Sequence, residues 1–162
     1  MNKHSRAVRF ERLLLKRPDA WAILRGDSRH PRLYGEVGFY ETPYGVLVAA
    51  EVLGLTNAET DAPPIFGFHI HEGDGCTGDG FADTRMHYNP KNRPHPYHSG
   101  DMPPLFGANG CAYNVFLTDR FTVGEVIGKT VVVHSSPDDF TSQQSGNAGT
   151  KIACGVIHRS ER

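Results

Sequence analysis

Residues 65–72 read Ile65-Phe66-Gly67-Phe68-His69-Ile70-His71-Glu72, a segment that combines strand-forming side chains with two closely spaced histidines. Its β-branched and aromatic residues favour a strand. Successive side chains of a strand point to opposite faces, so His69 and His71 share one face while Phe68 and Ile70 occupy the other. The segment therefore predicts a strand that presents two imidazoles side by side, where both could bind one metal ion.

Further strand-like segments occur along the chain. In the segment 32–40 apolar and polar residues alternate, the period expected of a strand with one buried face. A turn at 43–45 joins it to the apolar segment 46–53, so the two predict a hairpin. The remaining segments, rich in β-branched, aromatic or other apolar residues, are 21–24, 65–71, 104–107, 111–118, 129–134 and 151–158. Together they predict an all-β protein of about eight strands.

Length and charge narrow the class of protein. A chain of 162 residues with 38% hydrophobic content can bury one sizeable core and is too short for two ordinary domains. Its formal net charge of -1 provides no field that would attract nucleic acid or a membrane, so a small-molecule substrate is expected. No apolar run approaches the roughly 20 residues of a membrane-spanning helix.

The first residues differ from the rest because they are basic. Up to residue 18 the only acidic side chain is Glu11, and the apolar run Leu13-Leu14-Leu15 is too short for a secretory signal. The basic residues are Lys3, Arg6, Arg9, Arg12, Lys16 and Arg17. We therefore predict a poorly ordered extension at 1–18, a single domain at 19–162 and a cytoplasmic location.

Two long segments interrupt the strands. Residues 72–103 and 135–150 are rich in Gly, Asp, Asn, Ser and Pro and have neither helical nor strand periodicity. Unstructured loops of this length are uncommon in a compact domain and are usually functional. The first loop, with the strands that flank both, contains most of the histidines, which favours a functional role.

The first of these loops has the residues of a zinc site. His87, His95 and His98 lie in it, and Asp101 follows His98 by three positions. Three imidazoles and one carboxylate match a closed tetrahedral zinc site, which leaves no position open for a substrate. The sequence therefore predicts a structural zinc ion here.

A second metal site is predicted around the first strand described. His134, which ends the run Val131-Val132-Val133, would add a third imidazole to His69 and His71. Copper binds imidazole readily in both of its oxidation states. If the fourth ligand is His87, its two ring nitrogens could bind both metals at once, which only imidazole can do.

Four segments resemble the signature segments of the copper/zinc superoxide dismutase family and occur in the family's order. They are 67–72, 87–90, 132–134 and 146–157. The resemblance extends from about Ala20 to His158, and it implies an eight-stranded Greek-key β-barrel or sandwich with two long functional loops. The copper ligands that it implies are His69, His71, His87 and His134. The zinc ligands that it implies are His87, His95, His98 and Asp101.

The resemblance also implies a disulfide bond between Cys76 and Cys154, which would leave Cys111 as a free thiol. The family keeps this bond even in the cytosol, where disulfides are otherwise uncommon. Closing the loop of roughly 80 residues between Cys76 and Cys154 would stabilise the fold by about 4 kcal/mol. It would also attach the metal-binding loop to the last strand.

Three further residues or segments are assigned by the same resemblance. Asp138, with Asp139 as the alternative, matches a carboxylate that accepts hydrogen bonds from one copper ligand and one zinc ligand. Lys151 occupies the position of the family's usual arginine at the mouth of the copper channel. Lysine keeps the charge but lacks the planar guanidinium, so we expect reduced activity. The loop 140–146 is uncharged and shorter than the family's charged guiding loop, so electrostatic steering should be weaker and the rate less sensitive to salt.

The function that the resemblance implies is disproportionation of superoxide to oxygen and hydrogen peroxide by copper redox cycling, with zinc in a structural role. His87 would bridge the metals and carry a proton on reduction, and Lys151 would position the anion, which makes both residues catalytic. One alternative is a copper-binding or copper-buffering protein on the same fold with little catalysis. Another is a zinc-stabilised structural protein. Superoxide is the expected partner, with no nucleic acid, no membrane and a possible homodimer.

Overall fold

The structure is a computed structural model and describes residues 9–55 and 64–161. Strands dominate these residues, and the helical segments are short. The strands are β1 (Ala20–Gly26), β2 (Tyr34–Thr42), β3 (Gly45–Leu53), β4 (Ile65–Phe66), β5 (Phe68–His71), β6 (Leu105–Phe106), β7 (Cys111–Thr118), β8 (Thr130–His134) and β9 (Lys151–Arg159). The helices are α1 (Phe10–Leu13), α2 (Val123–Val126) and a 3-10 helix at Asp79–Thr84.

Among the described residues, seven strands form one antiparallel sheet in the order β5-β8-β9-β1-β2-β3-β7. The predicted hairpin is present, because β2 and β3 pair from Tyr34 opposite Leu53 to Thr42 opposite Gly45. Alternation along β2 buries Val37 and Phe39 in the apolar core. The predicted all-β class is confirmed, and the Greek-key connectivity stays a prediction.

The predicted strand at 65–71 is divided into two. Its first part, β4, pairs with β6 in a separate two-stranded sheet, whereas β5 joins the seven-stranded sheet. Gly67 lies at the division, where its N–H donates to the carbonyl of Ser136 and its carbonyl accepts from the N–H of His134, both at 2.8 Å. A Cβ at this position would lie 2.8 Å from the Cβ of Ala148. Glycine therefore allows the second long loop to pack directly against the strand.

The first long loop extends the sheet beyond β5. The N–H of Ile70 donates to the carbonyl of Gly100, and the carbonyl of Ile70 accepts from the N–H of Tyr88, each at 2.8 Å. Isolated bridges consequently pair His69 with Asp101 and His71 with His87. The backbone of the loop therefore places predicted zinc-site residues directly beside the two histidines of β5.

A disulfide bond attaches this loop to the sheet. Cys76 and Cys154 are bonded, with their Cα atoms 5.7 Å apart and 78 positions apart in the chain, so the loop is joined to β9. Cys111 is a free, half-buried thiol. Both observations agree with the pairing that the resemblance implied.

The predicted amino-terminal extension is covered only in part. Residues 1–8 lie outside the described residues, and the short helix α1 lies within the remainder. The domain boundary at residue 19 stays a prediction. No helix in the ranges 9–55 and 64–161 has the length and apolarity needed to cross a bilayer.

Candidate metal centre

Strands supply most of the first histidine group. His69 and His71 project from one face of β5, and both are almost completely buried. His134 ends the neighbouring strand β8, at an irregularity in its pairing with β9 between Val133 and His134. Such irregularities re-aim side chains near functional sites. His87 approaches from the loop that pairs with β5.

These four histidines converge on one point. One ring nitrogen from each of His69, His71, His87 and His134 lies within 4.8 Å of all the others. The Nε2 atoms of His71 and His134 are 3.1 Å apart. The group has the donor set and the compactness of a site for a metal that prefers imidazole, such as copper.

A second group lies in the first long loop. One ligand atom from each of His87, His95, His98 and Asp101 lies within 4.8 Å of the others. The Oδ1 atom of Asp101 is 2.8 Å from His87 Nδ1 and 3.4 Å from His98 Nδ1, and its Oδ2 atom is 3.0 Å from His95 Nδ1. Three imidazoles and a carboxylate at these separations match a tetrahedral zinc site.

His87 belongs to both groups, and its two ring nitrogens have different surroundings. Its Nδ1 faces Asp101 and His98, whereas its Nε2 is buried without a hydrogen-bond partner. The ring centroid of His87 lies 4.0 Å from that of His69 and 5.5 Å from that of His98. One imidazole therefore connects the two groups.

Hydrogen bonds fix the tautomers of the rings around these groups. His71 Nδ1 lies 2.9 Å from the carbonyl of Arg85, and His134 Nδ1 lies 3.4 Å from the carbonyl of Gly149. A carbonyl can only accept, so the proton of each neutral ring is on Nδ1. The Nε2 atoms that face each other across the first group then both carry lone pairs.

Asp138 fixes one ring in each group. Its Oδ2 lies 2.7 Å from His69 Nε2, and its Oδ1 lies 2.8 Å from His95 Nε2. Since an ionised carboxylate only accepts, both Nε2 atoms donate, and the two Nδ1 atoms carry lone pairs that face the metal groups. Asp139, the alternative suggested by the sequence, accepts from Thr141 and Ser142 in its own loop.

The pattern of unpartnered atoms shows that cations fit both groups. Within the described residues, three buried ring nitrogens lack a hydrogen bond: His69 Nδ1, His87 Nε2 and His95 Nδ1. A buried polar atom without a partner is costly. His95 Nδ1 also points its lone pair at a carboxylate oxygen of Asp101, which is unfavourable unless a cation lies between them. A metal ion would satisfy these atoms.

Burial keeps three histidines of the first group, His69, His71 and His134, neutral and ready to bind a metal. Desolvation lowers the pKa of His69 to about 4, although the hydrogen bond with Asp138 acts in the opposite direction. Desolvation also lowers the pKa of His134 to about 3 and holds that of His71 well below its usual value. At neutral pH these rings are neutral, with one nitrogen protonated and the other free to bind a metal.

The two carboxylates remain ionised. Burial raises the pKa of Asp101, but the hydrogen bond with His87 and the electrostatic effects of His87, His95 and His98 together outweigh burial and lower the pKa overall. Burial similarly opposes ionisation of Asp138, whose pKa is nevertheless lowered by hydrogen bonds from His69, the Phe140 N–H and His95. Each group of imidazoles therefore has a negative charge in or beside it.

Lys151 lies near the first group, at the backbone segment that contacts His71. Its Nζ donates to Thr84 Oγ1 at 2.7 Å, to the carbonyl of Arg85 at 3.0 Å and to that of Phe81 at 3.5 Å. Burial lowers the pKa of the ammonium group. Since the Arg85 carbonyl also accepts from His71, a single backbone oxygen connects Lys151 to the first group.

Several supporting contacts were not predicted. They involve the carbonyl of Arg85, the amide of Gln143 and the guanidinium of Arg120, whose Nη1 lies 2.8 Å from the Pro96 carbonyl, 3.3 Å from that of Asp101 and 3.4 Å from that of His98. No signal in the single sequence marks them, because each pairs a side chain with a backbone group far away in the chain.

Known proteins resemble this chain over most of its length. A family model described as copper/zinc superoxide dismutase matches residues 33–157. The Cu-Zn superoxide dismutase 2 of Aquifex aeolicus (strain VF5) is 34% identical over 139 residues, which cover 76% of this chain and 78% of the relative. The Cu-Zn superoxide dismutase of Onchocerca volvulus is 32% identical over 161 residues, covering 86% of this chain and 94% of the relative.

A β-sheet with two histidine-rich groups that share one imidazole defines a metalloprotein with two adjacent candidate metal sites. The matched residues 33–157 make up most of the chain. The chain belongs to the copper/zinc superoxide dismutase family. Copper and zinc, the metals of that family, fit the two groups.

Proposed function

We propose that the chain disproportionates superoxide through the two groups joined by His87, with copper at His69, His71, His87 and His134 and zinc at His87, His95, His98 and Asp101. Copper, when bound, supplies the electron exchange by which two superoxide anions and two protons become one oxygen and one hydrogen peroxide. The observation that carries the proposal is the membership of His87 in both groups, with Nδ1 beside Asp101 and Nε2 buried without a hydrogen-bond partner.

His87 is the proposed proton carrier. Its Nε2 is buried without a partner, so it can hold a proton and deliver it to the reduced anion. Its Nδ1 lies 2.8 Å from Asp101 Oδ1, in the second group, where a bound zinc ion would hold the ring in place. The shared imidazole therefore supplies both a ligand and a proton donor.

His69, His71 and His134 are the proposed permanent copper ligands. Each is held from its far side, His69 by the carboxylate of Asp138 and the other two by backbone carbonyls. Such partners fix both the tautomer and the direction of the lone pair. The three rings would therefore hold a copper ion without depending on His87, which leaves His87 able to carry a proton.

Lys151 is the proposed source of positive charge for the anion. Since its ammonium group already donates to three oxygens, we propose that it attracts superoxide through its field more than by direct contact. Replacing Lys151 with Met should lower kcat/KM several-fold, and Lys151→Arg should restore or exceed the original rate. Equal rates for all three proteins would remove Lys151 from the mechanism.

The test of the function is the rate of superoxide loss with protein carrying one copper and one zinc, compared with the zinc-only form. We expect fast loss that depends on copper. The competing function is a copper-buffering protein on the same fold. If both metals bind and superoxide persists at the background rate, the copper-buffering function is correct.

Assembly, location and other partners are also proposals. The formal net charge of -1 supports the absence of nucleic-acid and membrane partners. A relative from Brugia pahangi is named as an extracellular Cu-Zn superoxide dismutase and is 28% identical over 177 residues, which cover 96% of this chain and 84% of the relative. The cytoplasmic location thus stays a prediction, for which cell fractionation is the test. Sedimentation velocity would test the homodimer.

A further inference from the structure

We propose that Gln143 is a positioning residue for His95. The proposal rests on the proposed function, in which the second group (His87, His95, His98 and Asp101) binds zinc and is called the zinc group below. Gln143 belongs to the second long loop and lies 48 positions from His95 in the chain. Its Oε1 accepts the N–H of His95 at 3.0 Å, and its Nε2 donates to the carbonyl of His95 at 2.8 Å. One side-chain amide thus pairs with both backbone groups of a residue in the zinc group.

Every polar group of His95 except one is held by this second loop. The backbone N–H and carbonyl bind Gln143, and the ring Nε2 binds Asp138 Oδ1 at 2.8 Å. The remaining atom, Nδ1, is buried without a hydrogen bond and lies 3.0 Å from Asp101 Oδ2. The second loop therefore fixes both the backbone and the ring of His95 and leaves free only the atom that faces the zinc group.

The two hydrogen bonds from Gln143 fix the backbone of His95 as a neighbouring strand fixes the backbone of a sheet residue. An amide side chain carries one acceptor and two donors in a plane, so glutamine can reproduce the paired hydrogen bonds of a neighbouring strand. His69 and His71 have such bonds from β8, whereas His95 lies in a loop without regular structure. Fixing the backbone of His95 fixes the direction of its Cβ, and with it the approach of Nδ1 to the metal.

The loop that carries Gln143 is itself internally bonded. The N–H of Asp139 donates to the carbonyl of Gly146, and the N–H of Gly146 donates to the carbonyl of Ser142. Asp139 Oδ1 accepts from the N–H groups of Thr141 and Ser142, both at 2.8 Å. Gln143 thus extends from a closed turn, which lowers the entropic cost of its bonds to His95.

Gln144 is a matched control. It has the same side chain, is exposed like Gln143 and borders the same cavity beside His87 and His98. Among the hydrogen bonds of the described residues, the side chain of Gln144 has none to His95. Substituting either glutamine removes the same atoms from the surface and leaves the core intact, so both variants should fold.

The experiment measures zinc release from the zinc-loaded protein to a chromophoric chelator, for the wild type, Gln143→Ala, Gln143→Glu and Gln144→Ala. Gln143→Ala should release zinc roughly 10-fold faster than the wild type, the lower end of the range for partners of metal ligands. Gln143→Glu keeps an acceptor for the His95 N–H but opposes an oxygen to its carbonyl, so it should release zinc at least as fast. Gln144→Ala should match the wild type.

Cobalt substitution separates the possible failures. Tetrahedral Co²⁺ bound in the zinc group absorbs strongly in the visible region, and its spectrum should shift in Gln143→Ala but not in Gln144→Ala. If the wild type gives no tetrahedral spectrum, the zinc group of the proposed function is wrong. If the wild type does give one and both alanine variants release zinc at the same rate, the role of Gln143 is wrong.

Discussion

The two metal groups are built in different ways. Most of the first stands on paired strands, with His69 and His71 on β5 and His134 at the end of β8. The second, apart from the shared His87, stands on a loop whose residues are held by side chains from elsewhere: Asp138, Gln143 and Arg120. A ladder of backbone hydrogen bonds orients the first group, whereas a few side chains orient the second. The second group should therefore be easier to disturb by single substitutions.

The largest expected effect comes from removing the residue that the two groups share. His87→Ala deletes one ligand from each group and the proposed proton carrier, so the rate of superoxide loss should fall by at least about 100-fold. Metal analysis should show more zinc lost than copper, because three strand-borne histidines remain for copper. Retention of both metals and of the rate would show that His87 does not join the groups.

Lowering the pH should destabilise the metal-free protein, mainly through the histidines of the first group. The pKa of His69 is about 4 and that of His134 about 3 in the folded state, below the usual value of 6.5 for an exposed histidine. Below pH 6.5 the unfolded chain therefore binds more protons than the folded one, so stability falls as pH decreases from 6.5 toward 3. His69 alone should contribute on the order of 3 kcal/mol. Urea unfolding between pH 7 and pH 4 measures this slope, and a flat profile would contradict it.

Replacing Asp138 disturbs one histidine of each group at once, because one carboxylate oxygen accepts a hydrogen bond from His69 and the other accepts one from His95. The variant therefore shows which group is easier to disturb. In Asp138→Ala, β8 still holds the backbone of His69, while His95 keeps only its bonds to Gln143. Zinc affinity should therefore fall roughly 10- to 100-fold and copper affinity less. Competition titrations with chelators measure both. Equal losses of copper and zinc affinity would mean that strand pairing does not hold the first group more firmly than side chains hold the second.

The smallest effect is expected at Arg120, which binds three carbonyls of the zinc-group loop from an exposed position. Removing these bonds, one exposed and two partly buried, in Arg120→Ala should cost about 1 kcal/mol and speed zinc release roughly 5-fold. Arg93→Ala is the control, because the hydrogen bonds of Arg93 to Asn89 involve only its backbone. Identical release from both variants would assign the orientation of the loop to Asp138 and Gln143 alone.

The sequence predicted the strand-borne part of the site well. His69 and His71 follow from strand periodicity, and the spacing of the loop histidines and Asp101 suggested the second group. The division at Gly67 was missed, because a continuous apolar run does not reveal a change of sheet. The contacts of Gln143 and Arg120 were also missed, since they join side chains to distant backbone groups and leave no periodic pattern.

The central claim is that one imidazole joins a copper site and a zinc site. Anomalous diffraction at the copper and zinc absorption edges, from crystals of the oxidised protein loaded with one of each metal, tests it most directly. We predict a copper peak bounded by His69, His71, His134 and His87 Nε2, and a separate zinc peak bounded by His95, His98, Asp101 and His87 Nδ1. A single peak, or two peaks of which only one contacts His87, would contradict the claim.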